Sequence, residues 1–240
     1  MGIRLSIVMF AYNEQENVRP VVLDTVAALE AAVGDFLDDY QLVLVDDGSV
    51  DQTGAIIEAL AQDNPRITPM SHGTNRGIGA AVKTGFAAAR LDYITILPAD
   101  GQVTVGELQK FVPSIQAGAD MVVGYYTQRQ QVDGSYRAVL SKGLRFGMNV
   151  LLGTQRPMDG VYMFRRDLLK TLPLKSETFF VNLELPVRAI REGLDVRSVP
   201  VEVHARRAGA SKVTSFRRMA KVGTEVLKFR GHLLAERFQG

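Results

Sequence analysis

A carboxylate pushed out at the end of a buried strand is a hydrogen-bond acceptor held at a sheet edge, where a nucleobase or a ribose can reach it. Three stretches of the chain have that character. Asp46-Asp47-Gly48-Ser49 follows the apolar run Gln41–Val45, and Tyr12-Asn13-Glu14 follows Arg4–Phe10. Asp100, in Ile96-Leu97-Pro98-Ala99-Asp100-Gly101-Gln102, follows Tyr93–Leu97. Asp46 is read as a ligand acceptor. Asp47 and Ser49 have two readings: ligand contacts, or residues that shape the turn and cap the next helix. Asp100 precedes a helix expected near Thr104, so a cap is its plainer alternative.

Gly77 and Gly79 open a helix after the third strand. A dinucleotide fingerprint would open the first βα unit instead, with an acid about 20 residues on. The first turn here, Ala11-Tyr12-Asn13-Glu14, has no glycine, which argues against a Rossmann dehydrogenase. Close backbone packing beside a ligand pocket accounts better for Gly77 and Gly79.

The elements that must position these residues alternate. Strands are expected at Arg4–Phe10, Gln41–Val45, Arg66–Ser71, Tyr93–Leu97 and Asp120–Gly124. Helical spacing falls between them, at Gln15 to Val33, Gln52 to Gln62, Ile78–Arg90 and Thr104–Ala117. The pattern predicts an α/β fold of parallel βαβ units with helices on both faces. Ligands of such sheets sit outside the carboxyl ends of the strands, where the polar residues above gather. Beyond Tyr126, a polar loop (Thr127–Tyr136), a helix (Arg137–Leu152), a strand (Gly160–Phe164), a helix (Asn182–Glu192) and a strand (Asp195–Val203) are expected. A last helix is expected from Ser215 to Phe238.

Composition sets the bounds. The 240 residues are 46% hydrophobic, enough for a sizeable core, and none is cysteine, which excludes disulfides and thiolate metal sites. No apolar run reaches the roughly 18 residues of a membrane span. The chain runs directly into its first strand, so no leader and a cytoplasmic location are expected. Net charge is +2, unevenly placed: nine Lys/Arg against two acids from His204 to Gly240, and 19 against 24 in the rest. The basic end suggests an anionic partner. Nucleic acid is not that partner, because the basic stretch lacks interleaved aromatics for base stacking and the body is acidic. His72, His204 and His232 are too scattered for a metal cluster and are read as bystanders.

Six segments together resemble the family 2 glycosyltransferases: "IVMFAYNEQENV", "LVLVDDGSVDQT", "NRGIGAAVKTGF", "PADGQ", "DGVYMFRRDLL" and "LPVRAIREGLDVRSVPVEVHARRAGASKV". They are most similar to the dolichol-phosphate mannosyltransferase and polyprenyl-phosphate glycosyltransferase branch. The resemblance runs from the first strand to about Val213. It implies a GT-A fold over residues 1–213, a GDP- or UDP-sugar donor, a Mg²⁺ or Mn²⁺ ion, and inversion at the anomeric carbon. It carries donor binding to Ala11, Tyr12, Glu14, Asp46, Ala99, Asp100 and Gln102, with Arg206 and Lys212 as cations for the diphosphate. The branch usually has Asp-Ala-Asp with Gln two residues on; here Pro98 replaces the first Asp, leaving Asp100 and Gln102 as the metal ligands. One or two protein oxygens suffice where donor phosphates and waters complete the shell.

For the acceptor, Arg137 and Ser141 match an Arg-x-x-x-Ser that binds the lipid phosphate; at i and i+4 they share one helix face. An Arg expected after Val122-Val123-Gly124 is replaced by Tyr126, with Arg129 as its substitute. Asp159 and Glu184 match the remaining catalytic acids. A phosphate acceptor is already anionic, so they would position the sugar rather than take a proton. Residues 214–240 read as a basic amphipathic helix, lying on an anionic membrane surface or packed on the core with a solvated basic face. The expected function is transfer of mannose or glucose from a nucleotide sugar to a polyprenyl (dolichyl or undecaprenyl) phosphate, by an enzyme peripheral at the inner membrane face. The alternatives are another lipid or saccharide acceptor, or a catalytically impaired relative that binds nucleotide sugar.

Overall fold

The computed structural model describes residues 2–98, 102–127, 161–203 and 223–231. Strand and helix alternate through β1 (Ile3–Ala11), α1 (Val18–Ala32), β2 (Leu37–Asp46), α2 (Thr53–Asp63), β3 (Ile67–Ser71), α3 (Ile78–Ala88) and β4 (Tyr93–Ile96). There follow α4 (Val105–Leu108), a 3-10 turn (Gln109–Phe111), α5 (Val112–Gln116), β5 (Met121–Tyr126), β6 (Tyr162–Arg165), α6 (Leu168–Thr171), α7 (Val181–Arg191) and β7 (Val196–Val201). Residues 223–231 are helical.

The described strands form one sheet in the order β3-β2-β1-β4-β6-β5-β7. Strand β6 is antiparallel to both β4 and β5, and every other neighbouring pair is parallel. Burial on both faces explains why β1 reads as a continuous apolar run. Successive side chains point to opposite faces. Ile7 and Met9 join Val22 and Leu29 of α1, Ile57 of α2 and Leu108 of α4 on one face. Val8 joins Val82 and Phe86 of α3, Leu185 of α7, and Val226 and Phe229 on the other. The expected helices on both faces are therefore present.

The strand order places the site. From β1 the chain steps to β2 and β3 on one side, then returns to β4 on the other side of β1. The sheet's direction of growth thus reverses between β1 and β4, and a crevice opens at their carboxyl ends.

Two expectations change. The single helix over Thr104–Ala117 is two short helices joined by a 3-10 turn. Pro113 lies in the first turn of α5; it can begin a helix but cannot continue one. Strand β2 starts at Leu37 rather than Gln41. The charges of Asp38 and Asp39 mask that start in the sequence, while Leu37 and Tyr40 are buried. Residues 223–231 bear on the two readings of the basic helix. Val226 and Phe229 lie in the core, and the Phe229 ring meets Phe180 edge-on at 5.2 Å. This part of the basic helix takes the core-packed alternative; the rest of it, with the loop and helix expected between residues 127 and 152, lies outside the described residues.

Candidate active site

Two loops form one wall of the crevice. Ala11 and Asp46 are partners on the last rung of the β1–β2 ladder, and the Asp47 N–H donates to the Ala11 carbonyl at 2.9 Å. Beyond that rung the β1–α1 and β2–α2 loops are stitched together. Asn13, at φ 53°, donates its N–H to Ser49 Oγ (2.9 Å) and accepts at Oδ1 from Val50 N–H (3.0 Å). Asparagine tolerates this left-handed conformation better than most residues. Glu14 N–H donates to Thr53 Oγ1 (2.8 Å), whose hydroxyl donates to Asp51 Oδ1 (2.5 Å). Partial burial raises the Asp51 carboxyl, but hydrogen bonds from Thr53 and Gln15 outweigh it and hold the group below its ordinary value.

The wall presents Asp46. Its Oδ1 accepts from Ser49 N–H at 3.1 Å, and among the described residues no donor reaches Oδ2. Asp47 differs. Its Oδ1 accepts from His72 Nδ1 (2.7 Å) and Arg76 N–H (3.0 Å), and its Oδ2 from Asn75 Nδ2 (3.1 Å) and Gly77 N–H (2.9 Å). Four donors saturate this buried carboxylate, which settles its two readings: Asp47 shapes the turn before α3. Ser49 likewise braces Asn13. His72 is a structural tie, with Nε2 2.9 Å from Thr84 Oγ1. Gly79 does serve close packing, since a Cβ there would lie 2.4 Å from the Glu177 carbonyl carbon.

The structure brings Ala11, Tyr12, Glu14 and Asp46 together at the carboxyl ends of β1 and β2. Gln102 stands, partly buried, in the segment leaving β4. Glu184 comes from α7. It lies in the first turn of α7 with 1% exposure, accepting from Lys175 N–H (3.0 Å), Ser176 N–H (2.7 Å) and Arg188 Nε (3.0 Å). Engaged inside the protein, its carboxylate ties the backbone at Lys175 and Ser176 to α7. Ala99, Asp100, Arg129, Arg137, Ser141, Asp159, Arg206 and Lys212 lie outside the described residues. The reading of the sequence missed Asn13, Asp51 and Thr53 as braces. The signal was present: small polar side chains in two loops that must both leave the same sheet edge.

A mixed sheet with one reversed strand, covered by helices on both faces and carrying polar loops at a switch point, is the GT-A glycosyltransferase architecture. Solved relatives agree: a glucosyl-3-phosphoglycerate synthase from Mycobacterium tuberculosis, determined with Mn²⁺, uridine diphosphate and glucosyl-3-phosphoglycerate, superposes with a TM-score of 0.67 at 20% identity. The superposition covers 95% of this chain and 78% of that one. The family model "Glycosyl transferase family 2" matches residues 6–172. A polyprenol monophosphomannose synthase from Mycolicibacterium smegmatis is 30% identical, covering 88% of this chain and 81% of that protein. A dolichyl-phosphate beta-glucosyltransferase, ALG5A, from Trichomonas vaginalis is 26% identical over 95% of this chain and 73% of its own length. The chain belongs to glycosyltransferase family 2.

Proposed function

We propose that this chain transfers a hexose, mannose or glucose, from a GDP- or UDP-sugar to a polyprenyl phosphate, with inversion. The acceptor class is supported by the mannose synthase and the glucosyltransferase, both named for polyprenyl-phosphate products and both aligned along most of this chain. The observation that carries the donor side is Asp46, held on a braced wall at the switch point with an oxygen that no described residue uses.

In this reading Asp46 accepts hydrogen bonds from the nucleoside, beside Ala11, Tyr12 and Glu14. Arg206 and Lys212 hold the diphosphate. Arg137, Ser141 and Arg129 hold the lipid phosphate, and Asp159 positions the sugar. An oxygen of the lipid phosphate attacks the anomeric carbon from the face opposite the nucleoside diphosphate. The new C–O bond forms as the old one breaks, and the electron pair leaves on the diphosphate. The attacking oxygen carries no proton, so no general base is needed.

Asp100 and Gln102 are hard oxygen donors, a set that fits Mg²⁺ or Mn²⁺. When bound, the ion neutralises charge on the departing diphosphate. Among the described residues no helix is long and apolar enough to cross a membrane. The cations of residues 204–240 support a peripheral position on an anionic membrane, at its cytoplasmic face.

The test is a transfer assay pairing GDP-mannose and UDP-glucose with undecaprenyl and dolichyl phosphates, with Mn²⁺ or Mg²⁺ and with chelator. Metal-dependent formation of a polyprenyl-phosphate sugar is expected from one donor. Transfer to saccharides alone would overturn the acceptor, and metal-independent transfer would overturn the metal.

A further inference from the structure

The helix over residues 223–231 is tied to the body more specifically than burial requires. Val226 and Phe229 suffice to bury its inner face. Glu225, one of only two acids among nine Lys/Arg from His204 onward, adds a multiple tie. Its carboxylate accepts from the Ser176 hydroxyl, the Thr178 hydroxyl at 2.7 Å, Glu177 N–H at 3.1 Å and Thr178 N–H at 3.3 Å. Three consecutive residues thus converge on one side chain, which fixes the turn in place and in rotation.

That turn rests on α3, whose start touches the donor wall. A Cβ on Gly79 would fall 2.4 Å from the Glu177 carbonyl carbon, so the turn lies directly on the start of α3. Lys83, one turn further along α3, pairs with Glu177 at 2.5 Å. The start of α3 is where Arg76 and Gly77 donate their N–H groups to Asp47, the neighbour of Asp46. An unbroken series of direct contacts therefore runs from the C-terminal helix to the Asp46 wall.

We infer that Glu225 is a positioning residue for donor binding: it fastens the 176–178 turn against α3 and so sets the wall that carries Asp46. The inference rests on the reading that the donor nucleotide binds at that wall. It links the basic C-terminal end of the chain to the nucleotide side of the reaction.

The test compares the wild-type protein with Glu225→Ala, Glu225→Gln and Thr178→Val. Binding of UDP and GDP is measured by calorimetry with Mn²⁺ present, together with donor KM, acceptor KM and kcat. Nucleotide affinity and donor KM should worsen about fivefold or more in Glu225→Ala, the lower end of coupling between linked sites. Acceptor KM should stay within about twofold, and Glu225→Gln, which keeps one acceptor oxygen, should fall between. Adding Thr178→Val to Glu225→Ala should cost less nucleotide affinity than Thr178→Val costs alone, since the two share the hydroxyl–carboxylate contact, while the bond from Phe180 N–H to Thr178 Oγ1 is lost in either background. Wild-type nucleotide affinity in a folded Glu225→Ala protein, even with a lowered Tm, would overturn the inference. If that variant does not fold, wild-type affinity in both Glu225→Gln and Thr178→Val overturns it. A wild-type protein that binds neither nucleotide would instead overturn the donor-site reading, and the inference with it.

Discussion

The Oδ2 of Asp46 lies 2.9 Å from where a Cβ on Gly54 would sit, so the missing side chain at the start of α2 is what lets this carboxylate hold its place. Alanine is favoured over glycine within helices by up to about 1 kcal/mol. Gly54→Ala should therefore leave Tm unchanged or raised, while the added methyl turns the Asp46 carboxylate aside. Donor affinity should fall about tenfold, the size of one lost hydrogen bond to a charged group. Asp46→Ala should lose at least as much. Calorimetric titration beside a thermal melt reads both quantities, and full affinity in Gly54→Ala would show that Asp46 does not face the nucleotide.

Asp47 should behave in the opposite way. Removing its carboxylate in Asp47→Ala strands four donors in a buried site, at roughly 1–3 kcal/mol for each that stays unsatisfied. His72→Ala removes one of those four and should cost less. Denaturant unfolding measures the difference. The expected order of stability is wild type, His72→Ala, Asp47→Ala, and equal stability of Asp47→Ala and wild type would return Asp47 to the ligand-contact reading.

Why Asp46 and Asp47 part ways shows what the sequence can carry. The parallel ladders and the carboxyl-edge site follow from apolar runs that alternate with helical spacing, and Ala11, Tyr12, Glu14 and Asp46 fall where that pattern puts them. The different fates of two adjacent aspartates do not follow. They depend on His72 and Asn75 arriving from beyond β3, contacts across 25 and 28 residues that no local spacing encodes. The partners of Glu184 are hidden for the same reason: a polar residue in a family-like segment carries no mark of which way it faces, and Lys175 and Ser176 come from the preceding turn. The early start of β2 at Leu37 and the helix break near Pro113 follow from tertiary burial and from proline geometry, at the scale of a few residues.

Acid should loosen the C-terminal helix before it unfolds the sheet. Partial burial raises the Glu225 carboxyl, but hydrogen bonds from Ser176, Thr178 and two backbone N–H groups outweigh it and hold the group below its ordinary 4.5. A depressed carboxylate contributes stability that is present above its unfolded value and lost as pH falls through the folded one. The loss should thus appear below pH 4.5, and Glu225→Gln should flatten that acid limb. Hydrogen exchange of residues 223–231 against pH measures it; identical limbs in both proteins would mean that another group governs the acid transition.

Asp100 is the carboxylate proposed to hold the metal. Asp100→Ala should lower transfer by at least about 10²-fold, the usual size of a lost electrostatic contribution at a reacting diphosphate. Pro98→Asp, which restores a second acid two residues earlier, should tighten Mn²⁺ binding in a titration followed by electron paramagnetic resonance. Near-normal transfer by Asp100→Ala would remove this residue from the metal site.

Membrane attachment can now be tested without cutting the chain. Deleting residues 215–240 would remove Val226 and Phe229 from the core, so a loss of binding would report unfolding as readily as lost contact. The cations offer a cleaner test. Lys228 is exposed on the outer side of the helix next to Leu227, which is 61% exposed. Arg217, Arg218 and Lys221 precede it in the sequence. Each cation near an anionic bilayer is worth on the order of 1 kcal/mol, screened within a Debye length. The protein should co-sediment with vesicles containing phosphatidylglycerol at low salt and much less at about 0.5 M salt. Exchanging Arg217, Arg218, Lys221 and Lys228 for Gln should abolish binding at low salt, leave Tm and nucleotide affinity unchanged, and lower transfer to a long-chain polyprenyl phosphate far more than donor hydrolysis. These four positions lie away from Val226 and Phe229 in sequence or exposure, so a folded variant is expected and the vesicle result reads charge alone. Indifference of the wild-type protein to anionic vesicles at low salt would leave the helix with its packing role only and remove the membrane support for a lipid acceptor.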